Sequence, residues 1–300
     1  MPKPTTLPET AATFYGCDNL LWIEWNSTAP VRGECFDDVE RHGNMLVFAP
    51  AGAQVTYEGN VIVGGVAEQI KLTDGKPLSN PCDFTALHVE YSRVFTKKTY
   101  LGTTSGWEAL VLPFNVQRLV SANRGELKPF GEADFTTSLP YWLAEAQKNG
   151  AFASVDKITA GVPFIMQVPN SDDYAEEYNI EGTITFSAQN TTVYATANAV
   201  SEMGGGYTFV GSYEGCDVID DDGSMKLHRT YALNDEAYSA DGEMYMPGGV
   251  FVADSRDIRP FEAYVYCNNA SAAPYLRIGG KGTTGIGQWT IHNSQFTMDN

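Results

Sequence analysis

The chain has 300 residues, enough for one large β domain or two ordinary domains with a full hydrophobic core. An apolar fraction of 43% with 15 Phe and 16 Tyr residues argues against disorder, which requires low hydrophobicity. The net charge of −18 repels the phosphates of nucleic acids and of anionic membranes, so we expect no nucleic-acid partner. We also expect no membrane span, since no apolar run reaches the roughly 18 residues that one requires.

The first predicted elements share a pattern in which an Asn precedes a short apolar run. Asn19-Leu-Leu-Trp-Ile and Asn44-Met-Leu-Val-Phe lie 25 residues apart, and a looser copy, Asn60-Val-Ile-Val, follows 16 residues later. Solenoid rungs use such spacings, although the hairpins of an ordinary sandwich explain the pattern as well. Trp22 and Trp25 differ by three positions, so on a strand they face opposite ways and one of them belongs to the core.

Strand signals dominate the rest of the chain. In the best-patterned segment, Leu87, Val89 and Tyr91 alternate with polar residues, which predicts a strand with one wet face. Runs rich in β-branched and aromatic residues, bounded by Gly, Asn, Asp and Pro, predict strands at Val61–Val63, Ala86–Phe95, Ala109–Leu112, Phe164–Val168, Gly182–Ala188, Thr192–Thr196, Tyr207–Tyr213 and Ala263–Tyr266.

One segment, Leu139–Asn149, is predicted to be helical. Ser138 suits the N-cap, Pro140 suits the first turn, and Gly150 suits the position after the last turn. The chain is therefore expected to be all-β with one short helix.

The segment Gly106-Trp-Glu-Ala-Leu-Val-Leu-Pro-Phe contains an apolar strand that Trp107 begins. The Pro113-Phe114 pair ends it, because proline donates no backbone hydrogen bond. Its pattern indicates no nucleophile, ligand or base. We place a boundary between two β regions just before Trp107.

Nine fragments, in one order, carry a resemblance to a known family. They are Asn60-Val-Ile-Val-Gly-Gly, Ile70-Lys-Leu-Thr-Asp-Gly, Pro81-Cys-Asp-Phe-Thr-Ala, Tyr91-Ser-Arg-Val-Phe, Gly106-Trp-Glu-Ala-Leu-Val-Leu-Pro-Phe, Ile158-Thr-Ala-Gly-Val-Pro-Phe-Ile, Gly182-Thr-Ile-Thr-Phe-Ser-Ala, Phe209-Val-Gly-Ser-Tyr and Pro260-Phe-Glu-Ala-Tyr-Val. The succession, roughly residues 44–280, resembles a β-rich region of secreted and cell-surface proteins of Bacteroidetes, often C-terminal to leucine-rich or immunoglobulin-like repeats. The resemblance offers no catalytic motif.

The resemblance implies export to an extracellular or cell-surface location. Because the N-terminus shows no signal-peptide h-region, we expect the sequence to begin after such a signal. The resemblance also implies that the Gly-rich stretch 279–286 closes the domain, which leaves a C-terminal tail. How the protein is anchored at a surface stays open.

Five cysteines, Cys17, Cys35, Cys82, Cys216 and Cys267, lie far apart without a CxxC pair, which disfavours zinc. Their odd number leaves at least one thiol free. Cys17 and Cys35 form the closest pair and a bridge between them stays open, whereas buried free thiols are the default.

Two acidic clusters could carry chemistry, although a solvated loop explains each one. Asp220-Asp-Asp-Gly-Ser offers oxygens to calcium, but the stretch 220–222 lacks the EF-hand spacing and suits a hairpin tip. Ser171-Asp-Asp-Tyr-Ala-Glu-Glu-Tyr could suggest a glycoside hydrolase, but its carboxylates are neighbours along the chain.

The four histidines, His42, His88, His228 and His292, do not form a metal motif, and no Ser lies in GxSxG. We therefore assign no catalytic, metal or cofactor-binding residue, and expect no cofactor.

The sequence predicts an antiparallel β-sandwich with one short helix and a smaller N-terminal strand-rich, rung-like part. We divide the chain into an N-terminal domain at 1–105, a sandwich at 106–280 and a tail at 281–300. The function expected is that of a non-catalytic extracellular module of a bacterial surface or secreted protein, in adhesion or as a scaffold. Its partner would be a host or microbial surface protein or glycan. One alternative is a carbohydrate-binding module that uses exposed aromatics, and a third is an enzyme such as a glycoside hydrolase.

Overall fold

The computed structural model describes residues 14, 16–27, 29–36, 43–197, 199–219, 229–268 and 273–278. These residues form 21 strands and two short 3₁₀ helices, Gly33–Cys35 and Glu176–Tyr178. The prediction of an all-β fold is confirmed. The strands are β1 Trp22–Glu24, β2 Leu46–Ala49, β3 Asn60–Val63, β4 Val66–Ala67, β5 Ile70–Thr73, β6 Phe84–Val94, β7 Glu108–Leu110, β8 Arg118–Ser121, β9 Gly125–Pro129, β10 Leu139–Ala146, β11 Phe152–Ser154, β12 Phe164–Gln167, β13 Thr183–Val193, β14 Ala199–Gly204, β15 Tyr207–Ser212, β16 Thr230–Leu233, β17 Tyr238–Ala240, β18 Glu243–Tyr245, β19 Val250–Ala253, β20 Glu262–Cys267 and β21 Tyr275–Arg277.

The predicted helix at Leu139–Asn149 is wrong. Its first eight residues form β10, which pairs antiparallel with β11 and β12 and parallel with β9. Leu, Ala and Glu are good helix formers, but pairing along both edges of the strand overrides that weak preference. Ser138 does not cap a helix. Its backbone N–H donates to the carboxylate of Asp134 inside the loop that precedes β10, at 3.0 Å.

The first three strands, β1 to β3, pair in parallel, and we call them the parallel stack. β1 pairs with β2 and β2 with β3, so that Trp22, Leu46 and Asn60 are in register. This arrangement corresponds to stacked rungs and not to hairpins, which pair antiparallel. Trp25 is 5% exposed and Trp22 is 42% exposed, so the prediction that one of the pair belongs to the core is confirmed.

The repeated asparagines connect the parallel stack to β5. Asn60 accepts a hydrogen bond from the N–H of Lys71 (2.7 Å) and donates to the carbonyl of Lys71 (3.0 Å). Asn44 does the same with Thr73 (2.6 and 3.0 Å) and also donates to the carbonyl of Lys76 (2.7 Å). Each side-chain amide therefore makes, with one residue of β5, the pair of hydrogen bonds that the backbone of a neighbouring strand would make.

Nineteen of the 21 strands form one large mixed sheet, whereas β17 and β18 pair only with each other. From β5 the order runs through β6, β13, β8 and β9 to β10, with β5–β6 and β9–β10 parallel. Beyond β10 the pairs are antiparallel, through β12, β7 and β20 to β15 and β16. The eight predicted strand segments all overlap strands of this sheet; Gly182–Ala188 overlaps β13, and Thr192–Thr196 overlaps only the last two residues of β13.

The largest core cluster contains residues from both sides of position 105, from Leu46 and Tyr91 to Phe186 and Phe261. β6 pairs with β13 over almost its whole length. The boundary placed before Trp107 thus runs through one shared core of the described residues. The tail at 281–300 lies outside them.

The predicted face of β6 is wrong at one position. Val89 and Tyr91 are buried as expected, but Leu87 is 46% exposed. The buried residues of β6 are at even positions before Leu87 (84 and 86) and at odd positions after it (89, 91 and 93). The buried face of the strand therefore switches next to Leu87. The partner strand is irregular at the same level, where Asn190 has a left-handed φ of 47°.

Candidate functional site

The centre of the candidate site is Glu108, the first residue of β7, which is only 1% exposed. Its Oε2 accepts hydrogen bonds from Arg93 Nη2 at 2.9 Å and from Lys97 Nζ at 2.8 Å. Both cations are themselves about 95% buried. The segment in which the sequence indicated no ligand therefore carries a fully buried carboxylate between two buried cations.

On one side the ion pairs continue to Asp74, in the turn after β5. Its Oδ1 lies 3.2 Å from Nη1 of Arg93 and accepts a hydrogen bond of 2.5 Å from the hydroxyl of Tyr91. Arg93 and Tyr91 lie on β6 and point into the same side of the sheet, since they are two residues apart. Arg93 thus bridges Asp74 and Glu108.

On the other side the ion pairs reach the C-terminal strands. Lys97 lies 3.0 Å from Asp235, and Asp235 also pairs with Arg256 at 3.2 Å and with Arg259. Arg256 in turn holds both oxygens of the buried Glu262, one of them at 2.9 Å. These eight side chains are called the ion network: Asp74, Arg93, Lys97, Glu108, Asp235, Arg256, Arg259 and Glu262.

The cations of the ion network fix the protonation of two of its carboxylates, Glu108 and Asp235. Burial acts to raise the pKa of Glu108, but the neighbouring Lys97 and Arg93 hold it below its ordinary value. The pKa of Asp235 is lowered in the same way, because Lys97 and Arg256 outweigh its burial. Both groups are therefore ionised near neutral pH, whereas a carboxyl that serves as a general acid needs a raised pKa.

A cavity of about 610 Å³ opens onto this network, and we call it the charged cavity. Its floor includes the buried Arg93, Lys97 and Glu108, while the side chains of Lys71 and Arg259 are 65% and 54% exposed at its rim. The complete lining is Lys71, Leu72, Thr73, Asp74, Glu90, Ser92, Arg93, Val94, Thr96, Lys97, Glu108, Thr183 and Arg259.

Backbone strain lies beside the ion network. Phe261, which precedes Glu262, is fully buried and has a φ of 64°. A bulky residue in the left-handed region costs of the order of 1–3 kcal/mol and persists only where its surroundings enforce it. Here its ring packs against Tyr91 at 5.0 Å, and its carbonyl accepts a hydrogen bond from the N–H of Val111.

Of the two acidic clusters that the sequence singled out, the structure describes the one at 171–178, which does not line the charged cavity. The Asp220–Asp222 loop lies outside the described residues. In the 171–178 segment, Asp173 accepts a hydrogen bond from the N–H of Leu101 and Ser171 donates to the carbonyl of Thr99. This segment anchors a loop, and Glu176 and Glu177 are exposed on it.

None of the five cysteines lines the charged cavity, and the one described histidine, His88, contacts the lining residue Glu90. None of the five cysteines, all of which the structure describes, forms a disulfide, and this includes Cys17 and Cys35. His88 lies 3.4 Å from Glu90, whereas His42, His228 and His292 fall outside the described residues. Among the described residues no group of three or more His, Cys, Asp or Glu side chains is placed to hold a metal ion.

The aromatic side chains divide into exposed and clustered ones. In the described residues, the exposed rings are Trp22, Tyr194 and Tyr266, which belong to three separate segments. Phe130 and Trp142 stack at 5.5 Å, but both are half-buried. The three exposed rings therefore do not come from one strand or loop.

Sequence reasoning missed Glu108 because its direct partners, Arg93 and Lys97, lie 15 and 11 residues before it and meet it only in the folded sheet. A local signal exists, since Glu108 and Arg93 each interrupt an apolar strand with a charge. A charge on the buried face of a strand requires a partner of opposite sign. Because Glu108 is negative and Arg93 is positive, each is a candidate partner for the other.

Comparisons with protein-family models, with curated proteins and with solved structures gave no match. The described part of the chain also contains no helix long and apolar enough to cross a membrane. The functional argument therefore depends on the charged cavity and its ion network.

Proposed function

We propose that the chain is a non-catalytic extracellular module of a bacterial surface or secreted protein, which acts in adhesion or as a scaffold. In this proposal the antiparallel strands beyond β10 pack as a sandwich, and the charged cavity is a recognition site supported by them. The partner is a surface protein or a glycan of a host or microbial cell.

One observation carries the proposal: the ionisable groups at the floor of the charged cavity are held in ion pairs. Glu108 is shared by Arg93 and Lys97, with both donor distances below 3 Å. Removing one partner of such a buried pair costs about 3–5 kcal/mol, so these groups are poorly suited to exchange protons in a reaction cycle. Fixed charges are well suited to rigid recognition.

A turnover assay and an adhesion assay test this proposal together. The purified chain is incubated with chromogenic glycosides, esters and peptides, and product release is measured against a buffer blank. In parallel, beads coated with the chain are passed under flow over mucin-coated and over bacterial-cell-coated glass. We expect product release at the blank level and bead retention above that of albumin-coated beads. Product release that scales with protein concentration would overturn the proposal, as would bead retention no greater than that of albumin.

A second candidate function is carbohydrate binding. The observation that favours it is the charged cavity, whose volume falls in the range of small-molecule sites and whose lining mixes hydroxyls with charged donors and acceptors. The expectation that such a module uses exposed aromatics finds less support, because Trp22, Tyr194 and Tyr266 lie on separate segments. A glycan array tests this candidate: binding to a glycan spot supports it, whereas blank spots throughout leave a surface protein as the partner.

A further inference from the structure

We propose that the charged cavity binds a saccharide that bears a carboxylate, such as a uronic acid, and that Lys71 and Arg259 hold that carboxylate at the rim. This inference rests on the proposed function, because it names the ligand class of the same recognition site. Three properties of the cavity support it. Its floor cations are buried in ion pairs whereas its rim cations are exposed, its charged groups favour an anion, and hydroxyl groups line it.

The floor cations are committed to protein carboxylates. Arg93 bonds Glu108 and Asp74, and Lys97 bonds Glu108 and Asp235. Their side chains are only 5–6% exposed, so turning either away from Glu108 would leave a buried charge unpaired. The floor is therefore rigid and contributes shape and charge.

The rim cations can be redirected to a ligand. Lys71 lies 3.7 Å from Glu90, and Glu90 has a second neighbour, His88, at 3.4 Å. Arg259 pairs with Asp235, which stays neutralised by two other cations of the ion network when Arg259 turns away. Both rim side chains are more than half exposed, so moving them costs little desolvation.

The charge of the lining favours an anionic group. Four cations, Lys71, Arg93, Lys97 and Arg259, face three carboxylates, Asp74, Glu90 and Glu108. Asp235, which lies outside the lining and pairs with Lys97 and Arg259, balances this count, so the site gains positive charge where Lys71 or Arg259 turns from its protein partner to a ligand. A single carboxylate can then replace the protein partner of a rim cation, whereas a polyanion such as a phosphate ester would exceed that charge and meet the acidic surroundings of a chain whose net charge is −18.

The rest of the lining favours a polyhydroxylated body behind that carboxylate. Thr73, Ser92, Thr96 and Thr183 line the cavity, and hydroxyls both donate and accept hydrogen bonds. Sugar hydroxyls have the same dual capacity, so they can pair with these groups and with the carboxylates of the lining. A cavity of about 610 Å³ also exceeds what a lone small anion needs and suits a sugar of one or two rings.

The test compares methyl β-D-glucuronide with two control ligands. Methyl β-D-glucoside has a hydroxymethyl group in place of the carboxylate, and acetate has the carboxylate without the sugar. Binding to the full chain is followed by calorimetry and by saturation-transfer NMR. We expect the glucuronide to bind at least tenfold more tightly than the glucoside or acetate, because a charge-assisted hydrogen bond contributes about 1.5–3 kcal/mol.

Variants locate the binding. Arg259→Ala and Lys71→Ala each remove one rim cation, and we expect each to weaken glucuronide binding about tenfold. Arg118→Ala removes the same charge from an exposed residue on β8 outside the cavity lining, and we expect unchanged affinity. Circular dichroism of every variant verifies that the strands have formed.

Each outcome decides the inference. Equal binding of glucuronide and glucoside, or of glucuronide and acetate, overturns it, and so does equal weakening by Arg118→Ala. Absence of glucuronide binding overturns the inference while the bead-retention assay still decides the proposed function. Release of methanol from the bound glucuronide, visible in the same NMR spectra, would instead overturn the non-catalytic function and leave the binding site in place.

Discussion

The parallel stack and the ion network are both held by buried polar side chains, but with different chemistry. Asn44 and Asn60 are neutral amides that satisfy the open edge of β5. Glu108 and its partners are charges buried in the shared core. Neutral amides do not respond to pH, whereas paired charges lose their attraction once a carboxylate is protonated. The comparison teaches that one β fold can connect its regions by pH-insensitive and pH-sensitive bonds.

The largest expected effect comes from removing the centre of the ion network. Glu108→Ala leaves Arg93 and Lys97 buried without their shared partner, so we expect the free energy of unfolding in urea to fall by about 3–5 kcal/mol. The control is Glu126→Ala on β9, a half-exposed carboxylate paired with Lys128 at 3.2 Å, which should change it by less than about 0.5 kcal/mol. Equal effects of the two variants would contradict a special role for the network.

A smaller effect is expected in the parallel stack. Asn44→Ala leaves the N–H and carbonyl of Thr73 and the carbonyl of Lys76 without their amide partner, which we expect to lower the free energy of unfolding by about 2–3 kcal/mol. Asn19 is the exposed copy of the same repeat, so Asn19→Ala serves as the control and should be nearly neutral. A loss that exceeds that of Glu108→Ala would reverse the ranking of the two regions.

The dependence of stability on pH separates the two regions next. The pKa of Glu108 and that of Asp235 are lower in the folded chain than in the unfolded one. Their stabilisation is therefore complete above the unfolded pKa of about 4, and it is lost as pH falls through the folded pKa. Urea titrations between pH 6 and pH 3, a range of about three units around that value, should show a shallower loss for Glu108→Gln than for the wild type.

Asn44→Ala is the control for this pH experiment. Because an amide does not titrate in this range, its curve should run parallel to that of the wild type and lie below it. A shallower curve for Asn44→Ala would show that the parallel stack also depends on ionised groups.

The smallest effect is expected at Leu87. Its side chain is 46% exposed on β6, so Leu87→Ser should change the free energy of unfolding by less than about 0.5 kcal/mol. Val89→Ser, two positions along on the buried side, should lower it by several-fold more, since it places a hydroxyl in the core. Equal losses at both positions would restore the face that alternation predicted.

Local patterns predicted the parts of the fold that local physics decides. The opposite faces of Trp22 and Trp25 follow from strand geometry, and eight strand segments follow from β-branched and aromatic runs. Leu139–Ala146 could not be recognised, because its Leu, Ala and Glu content favours helix and only pairing with β12 decides otherwise.

The residues of the candidate site were harder to predict from the sequence than the strands. Glu108 meets Arg93 on β6, Lys97 shortly after β6 and, through Lys97, Asp235 from far along the chain. Such long-range pairing depends on the order of strands in the sheet, which periodicity does not encode. The sequence shows only that a charge interrupts an apolar strand.

The most direct test of the account is the titration of Glu108 itself. The side-chain carboxyl carbon of Glu108 is followed by ¹³C NMR from pH 7 to pH 2, a range of about two units or more on each side of the ordinary glutamate pKa of about 4.3, with Glu108→Gln used to assign its resonance. The account predicts a pKa below that ordinary value, because Lys97 and Arg93 stabilise the carboxylate of a rigid recognition site. A pKa raised to about 6 or above would contradict it and would indicate a carboxyl suited to general acid catalysis.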